Sequence, residues 1–481
     1  MSQLGDRSPI VILGQKSSRR QPRVFGDFAA APWFTRGLMT DLREKSTPSD
    51  APAGLDARRA ALDILELVRD GQAFDEALGA CRSFDQLTGP DRGFARALAT
   101  AVLRRRGSLD HIVGAYIDRP LPKKAARVMD ILRLAAAQTL FLETPPHAAV
   151  STAVSLASER RENAGYAKLI NAVARKISDK GATTLAKLPA RTDTPAWLWR
   201  AWERNYGPQA TRAIAEAHRR EPPLDLTLKR SETAEQWRDR LDAELLPMGS
   251  LRLNRVSDVT ALEGFDEGAW WVQDAAASLP VMLLGDIDGK RVFDLCAAPG
   301  GKTLQLAARG GIVTAVDKAG VRLHRVTENL ERTGLRAETI AEDILQWHPP
   351  EKADAILLDA PCTATGTIRR HPDIPWSKSE TDVASLATLQ AKMIDHAITL
   401  LKPGGVLVYC VCSLQRAEGE NQAREALARH STLSRLAATA EEIGGLSEAI
   451  TRDGDLRTLP SMLGPSGGMD GFFAARFQIP G

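Results

Sequence analysis

Acids and thiols close several apolar runs in the second half of the chain, and their spacing could support chemistry. "ADAILLDAPC" ends in Asp359 and Cys362, and "VLVYCVCS" ends in Cys410 and Cys412. A cysteine in such a place is either a small buried filler or a nucleophile whose pKa has been depressed. "TAVDK" ends in Asp317, and "AED" ends in Asp343. "DLCAAPGGKT" (Asp294 to Thr303) adds Gly300 and Gly301, which let the backbone approach a ligand just ahead of a helix N-terminus. This turn is neither a Walker A loop nor the G-x-G-x-x-G of nicotinamide enzymes. Asp317 is spaced to accept hydrogen bonds from both hydroxyls of a ribose, and Asp343 to meet an adenine amino group. Each acid alone would serve equally well as a helix cap. Together with the glycine turn they describe a pocket shaped for a nucleoside.

Cys362 and Cys412 close two different runs, which puts two thiols near that one ligand. Cys410 sits two residues back on the same face as Cys412 and reads as core filler. A thiolate paired with a methyl donor suggests chemistry on a pyrimidine. Carbon 5 of cytosine is too electron-poor to take a methyl group directly; addition of a thiolate at carbon 6 makes it nucleophilic. Methylation of an exocyclic amine would want Asn/Asp-Pro-Pro-aromatic, where this chain has Ala360-Pro361-Cys362. The residues alone do not rank the two thiols. Cys410-Val-Cys412 has no second pair or histidine cluster to complete four zinc ligands, so no metal is expected.

The elements that must position these residues begin at about residue 286. "RVFDLCA", "GIVTAVD", "AETIAED", "ADAILLDA" and "VLVYCVCS" read as strands, separated by helical runs such as "LATLQAKMIDHAITLLKPGG". Repeated βα units predict a parallel doubly wound sheet with its ligand at the carboxyl ends of the strands. "DLRTLP" and "GFFAARFQI" predict a closing edge hairpin. Residues 190–285 read as a small α/β connector, its tryptophans (197, 199, 202, 270 and 271) mostly core. Residues 54–182 carry helical periodicity throughout, as in "DARRAALDILELVRDG", and predict an all-α bundle. Residues 1–53, closed by "STPSDAPAG", read as a flexible tail and linker, and Met39 is an alternative start.

A chain of 481 residues is too long for one core. Its apolar content of 43% and charged content of 26% are those of a globular protein. It holds neither an apolar run near the roughly 20 residues of a membrane span nor a secretory signal, so the expectation is cytoplasmic. The five cysteines are scattered and odd in number, which suits a reducing compartment. A net charge of +3 says little, but basic clusters such as "LRRRGSLD" and "IRRHP" could track phosphates.

"DLCAAPGGKT", "DAPCTATGTIRRHPDIPW", "LKPGGVLVYCVCSLQRAEGEN" and "DGFFAARF", in that order, resemble the Sun-type family of S-adenosylmethionine-dependent RNA cytosine-5 methyltransferases. "PPHAAVSTAVSLA" and "KLINAVARKI" resemble the NusB-like RNA-binding domain of its ribosomal branch, and the likeness spans roughly residues 55–481. The resemblance implies a NusB-like bundle, the small connector and a Rossmann-like class I methyltransferase domain over residues 286–481, with a mostly parallel seven-stranded sheet. It implies S-adenosylmethionine as cofactor and small-subunit ribosomal RNA, naked or partly assembled, as substrate for a monomeric enzyme. Carried over position by position, Cys296, Ala297, Ala298, Pro299, Gly300, Gly301 and Lys302 would wrap the methionine end of the cofactor. Asp317 would hold the ribose, Asp343 the adenine side, and Asp359 would lie near methyl donor and target base. Cys412 would be the nucleophile, Cys362 would assist release of the product, and Arg369 and Arg370 would meet RNA phosphates. Val411 replaces the family's usual threonine, which removes a hydroxyl from the neighbourhood of Cys412. The same chemistry on transfer RNA is the sibling reading. A non-catalytic RNA-binding assembly factor is the reading from another class, against which the intact thiols and glycine turn argue.

Overall fold

The computed structural model describes residues 54–481 apart from Arg255 and Ser257, so the tail read over residues 1–53 lies outside the described residues. Helices Leu55–Arg69, Gly89–Arg104, Arg106–Gly114, Ala126–Phe141, Pro146–Ser158 and Ala167–Leu185 form the predicted bundle. Their apolar stripes close on one core that includes Ile64, Leu98, Leu109, Ile131, Leu156 and Ile177.

The connector starts with helix Ala196–His218, broken by a non-helical Gly207 ahead of Pro208, so it is two helices across a kink, as the sequence suggests. Four short strands follow: β1 (Leu224–Leu228), β2 (Glu244–Leu245), β3 (Leu251–Leu253) and β4 (Trp270–Val272), antiparallel in the order β2-β3-β1-β4. Trp199, Trp202, Trp270 and Trp271 are buried, and Trp197 is partly so. Asp225 of β1 lies in register with Arg252 of β3 and takes its guanidinium at 2.7 and 2.8 Å, both side chains 0% exposed. Asp225 also accepts from the backbone of Ala275 at 3.0 Å, which ties the strands of the connector to the helix that leads into the C-terminal half. Breaking such a pair from one side costs about 3–5 kcal/mol, because the remaining charge stays buried.

The C-terminal half is built on β5 (Arg291–Leu295), β6 (Ile312–Asp317), β7 (Glu338–Ala341), β8 (Ala353–Asp359) and β9 (Leu401–Val411). These five are parallel, in the order β7-β6-β5-β8-β9. Three more strands close the sheet: β10 (Ser434–Arg435), β11 (Leu456–Arg457) and β12 (Phe473–Gln478). The sheet therefore has eight strands rather than seven, because the two-residue pieces β10 and β11 both pair with β12. β11 and β12 do form the predicted antiparallel pair, but β12 lies inside the sheet, running along β9 from Val411 to Val406. A second difference concerns "LLKPGG". The helix there is Glu380–Thr399, begun by a capping box of Ser379 and Asp382, and the chain is already in β9 from Leu401. Pro403 cannot continue a helix, and Gly404 takes a positive φ of 75°.

Candidate active site

Because β5 to β9 are parallel, their carboxyl ends share one edge of the sheet, and the order changes direction at β5, the place at which open α/β sheets hold ligands. Beyond β5 the backbones of Cys296 and Ala297 continue onto Val316 of β6, at 2.8 and 3.1 Å. The chain then turns through Pro299 into the helix Gly301–Ala308. Gly300 makes that turn with φ 104°, and a Cβ there would stand 3.1 Å from the side chain of Val326. Only glycine serves both demands. Asp317, buried at the end of β6, accepts from the backbones of Ala298 at 3.1 Å and Ala319 at 2.8 Å. It thereby clamps the glycine turn to its own strand and keeps lone pairs for a diol. Asp343, beyond β7, accepts from the backbone of Leu345 and from Lys318; these donors hold its carboxyl below the usual range.

Asp294, inside β5, is fully buried and accepts from Thr303 Oγ1 at 2.5 Å. Burial pushes its pKa up to about 7, against the pull of that hydrogen bond. Its Oδ1 has no partner, so an acceptor in the floor of the turn is left for a ligand's donor. A glycine turn without side-chain bulk, an orphaned acceptor and a carboxylate at the next strand end fit the amino-acid and ribose portions of S-adenosylmethionine.

The two thiols meet. Cys362 Sγ and Cys412 Sγ are 3.4 Å apart, brought together because β8 and β9 are neighbours. The Cys362 thiol is pushed well above its ordinary value by its hydrogen bond to Cys412 and by burial, and either sulfur can donate across the contact. Next to them, Asp359 takes Lys302 Nζ at 2.8 Å on one oxygen and the Cys410 thiol at 3.5 Å on the other. Burial works against the charge of Lys302, yet the carboxylate beside it carries the balance and holds its pKa up. Cys410 is thus buried as expected of filler, and its thiol also caps Asp359. Val411 packs with Leu358, Tyr409 and Phe473 on the apolar side of the sheet. A hydroxyl at that position would enter this apolar cluster rather than reach Cys412.

Two residues that sequence reasoning passed over belong here: Asp294, a lone acid in an apolar strand, and Glu418, in "AEGEN". Glu418 is buried and accepts from Thr363 and Ser413, the residues that follow Cys362 and Cys412.

The structure moves Arg369 and Arg370 away from the role expected of them. Arg369 is 1% exposed and lies against Asp274 and Asp470, at 3.5 and 3.3 Å. Arg370, partly exposed, is engaged by Asp274 at 2.6 Å and Asp470 at 3.3 Å. The Arg369 guanidinium is an internal strut, since a buried cation needs a fixed counter-charge more than it can offer one to a phosphate, and Arg370 pairs with the same two acids while staying partly exposed. Their segment instead meets the bundle. Arg104 donates to the backbone of Arg369, Trp376 Nε1 donates to the carbonyl of Leu103, and the backbone of Phe74 donates to Asp373. His371 Nδ1 lies 3.3 Å from Asp75, and the Arg106 guanidinium 5.1 Å over the Trp376 ring. The loop after Cys362 is therefore built against the helical bundle.

No helix among the described residues is long and apolar enough to cross a membrane, and among them no His, Cys, Asp and Glu cluster could hold a metal ion.

A family model described as 16S rRNA methyltransferase RsmB/F matches residues 281–478, and the NusB family model matches residues 55–179. Ribosomal RNA small subunit methyltransferase B of Citrobacter koseri is 36% identical over 381 residues, which span 76% of this chain and 88% of that protein. The protein of the same name from Salmonella arizonae is 36% identical over 388 residues, 77% of this chain and 89% of its own. Among solved structures, PH0851 superposes with a TM-score of 0.71 at 21% identity, over 90% of this chain and 100% of its own. NSun6 from Pyrococcus horikoshii, solved with SFG, does so at 0.50 and 18% identity, over 59% of this chain and 98% of its own. These two share the fold. The sequence relatives and the two family models go further: with a NusB domain ahead of its methyltransferase domain, the chain belongs to the RsmB/F family of 16S ribosomal RNA methyltransferases.

Proposed function

We propose that the protein methylates carbon 5 of one cytosine in small-subunit ribosomal RNA through a covalent adduct with Cys412, using S-adenosylmethionine. The observation that carries this reading is the 3.4 Å contact between Cys362 and Cys412 beside the Lys302–Asp359 pair. A second thiol against the first has no use in direct transfer to an amine or hydroxyl, and a clear use where a covalent intermediate must be released. In the reaction, the Cys412 thiolate adds to carbon 6 and the ring electrons move to carbon 5. The cofactor supplies an electrophilic methyl group to that carbon. Loss of the carbon 5 proton then restores the double bond and expels the thiolate. Cys362, hydrogen-bonded to the departing sulfur, assists this elimination.

Asp359 hydrogen-bonds the ring while Lys302 holds its carboxylate in place. Cys296, Ala297, Ala298, Pro299, Gly300, Gly301 and Lys302 wrap the methionine end, Asp317 takes the ribose and Asp343 the adenine side. The target base leaves its stack to reach the thiols, and the NusB domain adds RNA affinity through backbone contacts. The enzyme works as a monomer in the cytoplasm, where its proposed substrate is made.

The test is a mechanism-based trap. A small-subunit RNA transcript carrying 5-fluorocytidine cannot lose fluorine in the last step, so wild-type enzyme with S-adenosylmethionine should give an adduct that survives denaturation, and Cys412→Ala none. Turnover of RNA without any adduct would refute the covalent mechanism.

A further inference from the structure

We infer that Glu418 is a positioning residue for both thiols: its buried carboxylate fastens the loop bearing Cys362 to the loop bearing Cys412 and so sets the separation on which release of the product depends. The inference rests on the covalent mechanism proposed above and assigns part of it to a residue outside the reacting groups.

Each oxygen of Glu418 reaches the Cys362 side. Oε1 accepts from the backbone of Thr363 at 2.8 Å and from Gln390 Nε2 at 3.3 Å, and Gln390 also donates to the carbonyl of Pro361 at 2.8 Å. Oε2 accepts from Thr363 Oγ1 at 2.5 Å and from Ser413 Oγ at 2.6 Å. One side chain thus holds the neighbours of both cysteines. Glu418 is itself fixed: its backbone donates to Gln415 at 3.0 Å and its carbonyl accepts from the buried Tyr409 hydroxyl. Further along, Gly366 donates to the carbonyl of Cys412 and Thr365 accepts from the backbone of Leu414, both at 3.0 Å. Ser413 Oγ also lies 3.3 Å from Thr363 Oγ1 and 3.2 Å from Thr365 Oγ1, so the loops touch directly, and Glu418 adds the charged acceptor that gathers these hydroxyls beside the sulfurs. A fully buried carboxylate is costly unless donors surround it, and these donors come from the two segments that must stay in register.

No hydrogen bond from Glu418 reaches either sulfur, so its effect on the reaction runs through position. Glu418→Ala removes the bridge. Glu418→Gln keeps an acceptor on one oxygen, and the Thr363 and Ser413 hydroxyls can turn to accept from its amide. The full chain carrying each substitution would be assayed for binding of S-adenosylhomocysteine, for kcat and KM with unmodified small-subunit RNA, and for the fraction of enzyme held as denaturation-resistant RNA adduct at steady state. Cys362→Ala and Cys412→Ala would be run alongside. For Glu418→Ala the expected result is near-wild-type S-adenosylhomocysteine binding and KM, a kcat lower by about 10- to 100-fold, and adduct accumulating as in Cys362→Ala. Glu418→Gln should lie between, and it carries the test if Glu418→Ala does not fold. Wild-type turnover in Glu418→Gln and Glu418→Ala, or lost turnover with no accumulated adduct in folded, cofactor-binding protein, would overturn the inference. If Cys412→Ala still transfers methyl groups, the covalent reading itself fails, an outcome distinct from normal cysteine variants beside a silent Glu418.

Discussion

Cys362 and Cys412 stand 50 positions apart in the chain and 3.4 Å apart at their sulfurs, because adjacent parallel strands deliver both to the same edge of one sheet. The contact puts both thiols at one centre, which spacing cannot show, and in the proposed mechanism Cys412 attacks while Cys362, its thiol raised by that hydrogen bond and by burial, assists release. Replacing Cys362 with alanine leaves addition possible and removes the group beside the departing sulfur. Cys362→Ala is therefore expected to accumulate RNA-linked protein on a denaturing gel. Multiple turnover without such a band would remove Cys362 from the release step.

The buried carboxyl of Asp294 gives a pH signature. Its folded pKa, raised by burial to about 7, lies above the 3.8 of an ordinary aspartate. Between those values the unfolded chain has lost a proton that the folded chain still holds, so this group's contribution to stability falls as pH rises from about 4 to about 7. Asp294→Asn keeps the bond from Thr303 and cannot ionise. Its melting temperature should therefore decline less than wild type across that window, and parallel melting curves against pH would contradict the assignment.

His371 and Asp75 join the loop after Cys362 to the helical bundle; the histidine shares the sign of Asp294, and the aspartate has the opposite one. Burial works against the imidazolium, but the Asp75 carboxylate outweighs it and raises the His371 pKa above 6.5; Asp75 in turn is lowered by His371. The histidine's contribution is complete below the ordinary imidazole pKa and is lost as pH rises through its raised value. The aspartate's is present above the carboxylate range and is lost in acid. The brace should thus work best around pH 5–6, between the two ordinary pKa values of about 4 and 6.5. Asp75→Asn should destabilise the protein there and change little at pH 9, read by thermal unfolding. Equal effects at both pH values would show that no ion pair is at work.

The displacement of Arg369 from the RNA surface is testable by salt. A phosphate contact contributes about 0.7–0.9 to the slope of log affinity against log salt. Arg369→Ala should leave that slope for RNA binding unchanged and should lower stability, because it removes one of the two guanidiniums that neutralise buried Asp274 and Asp470. A slope smaller by about one, with unchanged stability, would return the residue to the interface.

Much of this site was legible before folding. Strand-end acids, the glycine turn and the thiols are local features, and a parallel sheet sends every strand end to the same edge, so Asp317, Asp343, Asp359, Cys362 and Cys412 could be placed together from periodicity alone. What stayed hidden depends on pairing across distance. "RRHP" has the composition of a phosphate-binding loop, and only the arrival of Asp274 and Asp470 from remote segments turns it into a buried strut. Glu418 looks like any solvated glutamate until two loops fold over it. The β10 and β11 pieces are two residues long, too short for any periodic signal. Strand β9 was read short because Pro403 and two glycines suggested that the chain had turned before the strand began.

The most direct test of the account is transfer of labelled methyl groups from S-adenosylmethionine to unmodified small-subunit ribosomal RNA, followed by digestion to nucleosides, with Cys412→Ala alongside wild type. Label in 5-methylcytidine with wild type and none with Cys412→Ala is the predicted result. Label in any other nucleoside, or undiminished 5-methylcytidine from Cys412→Ala, would contradict it.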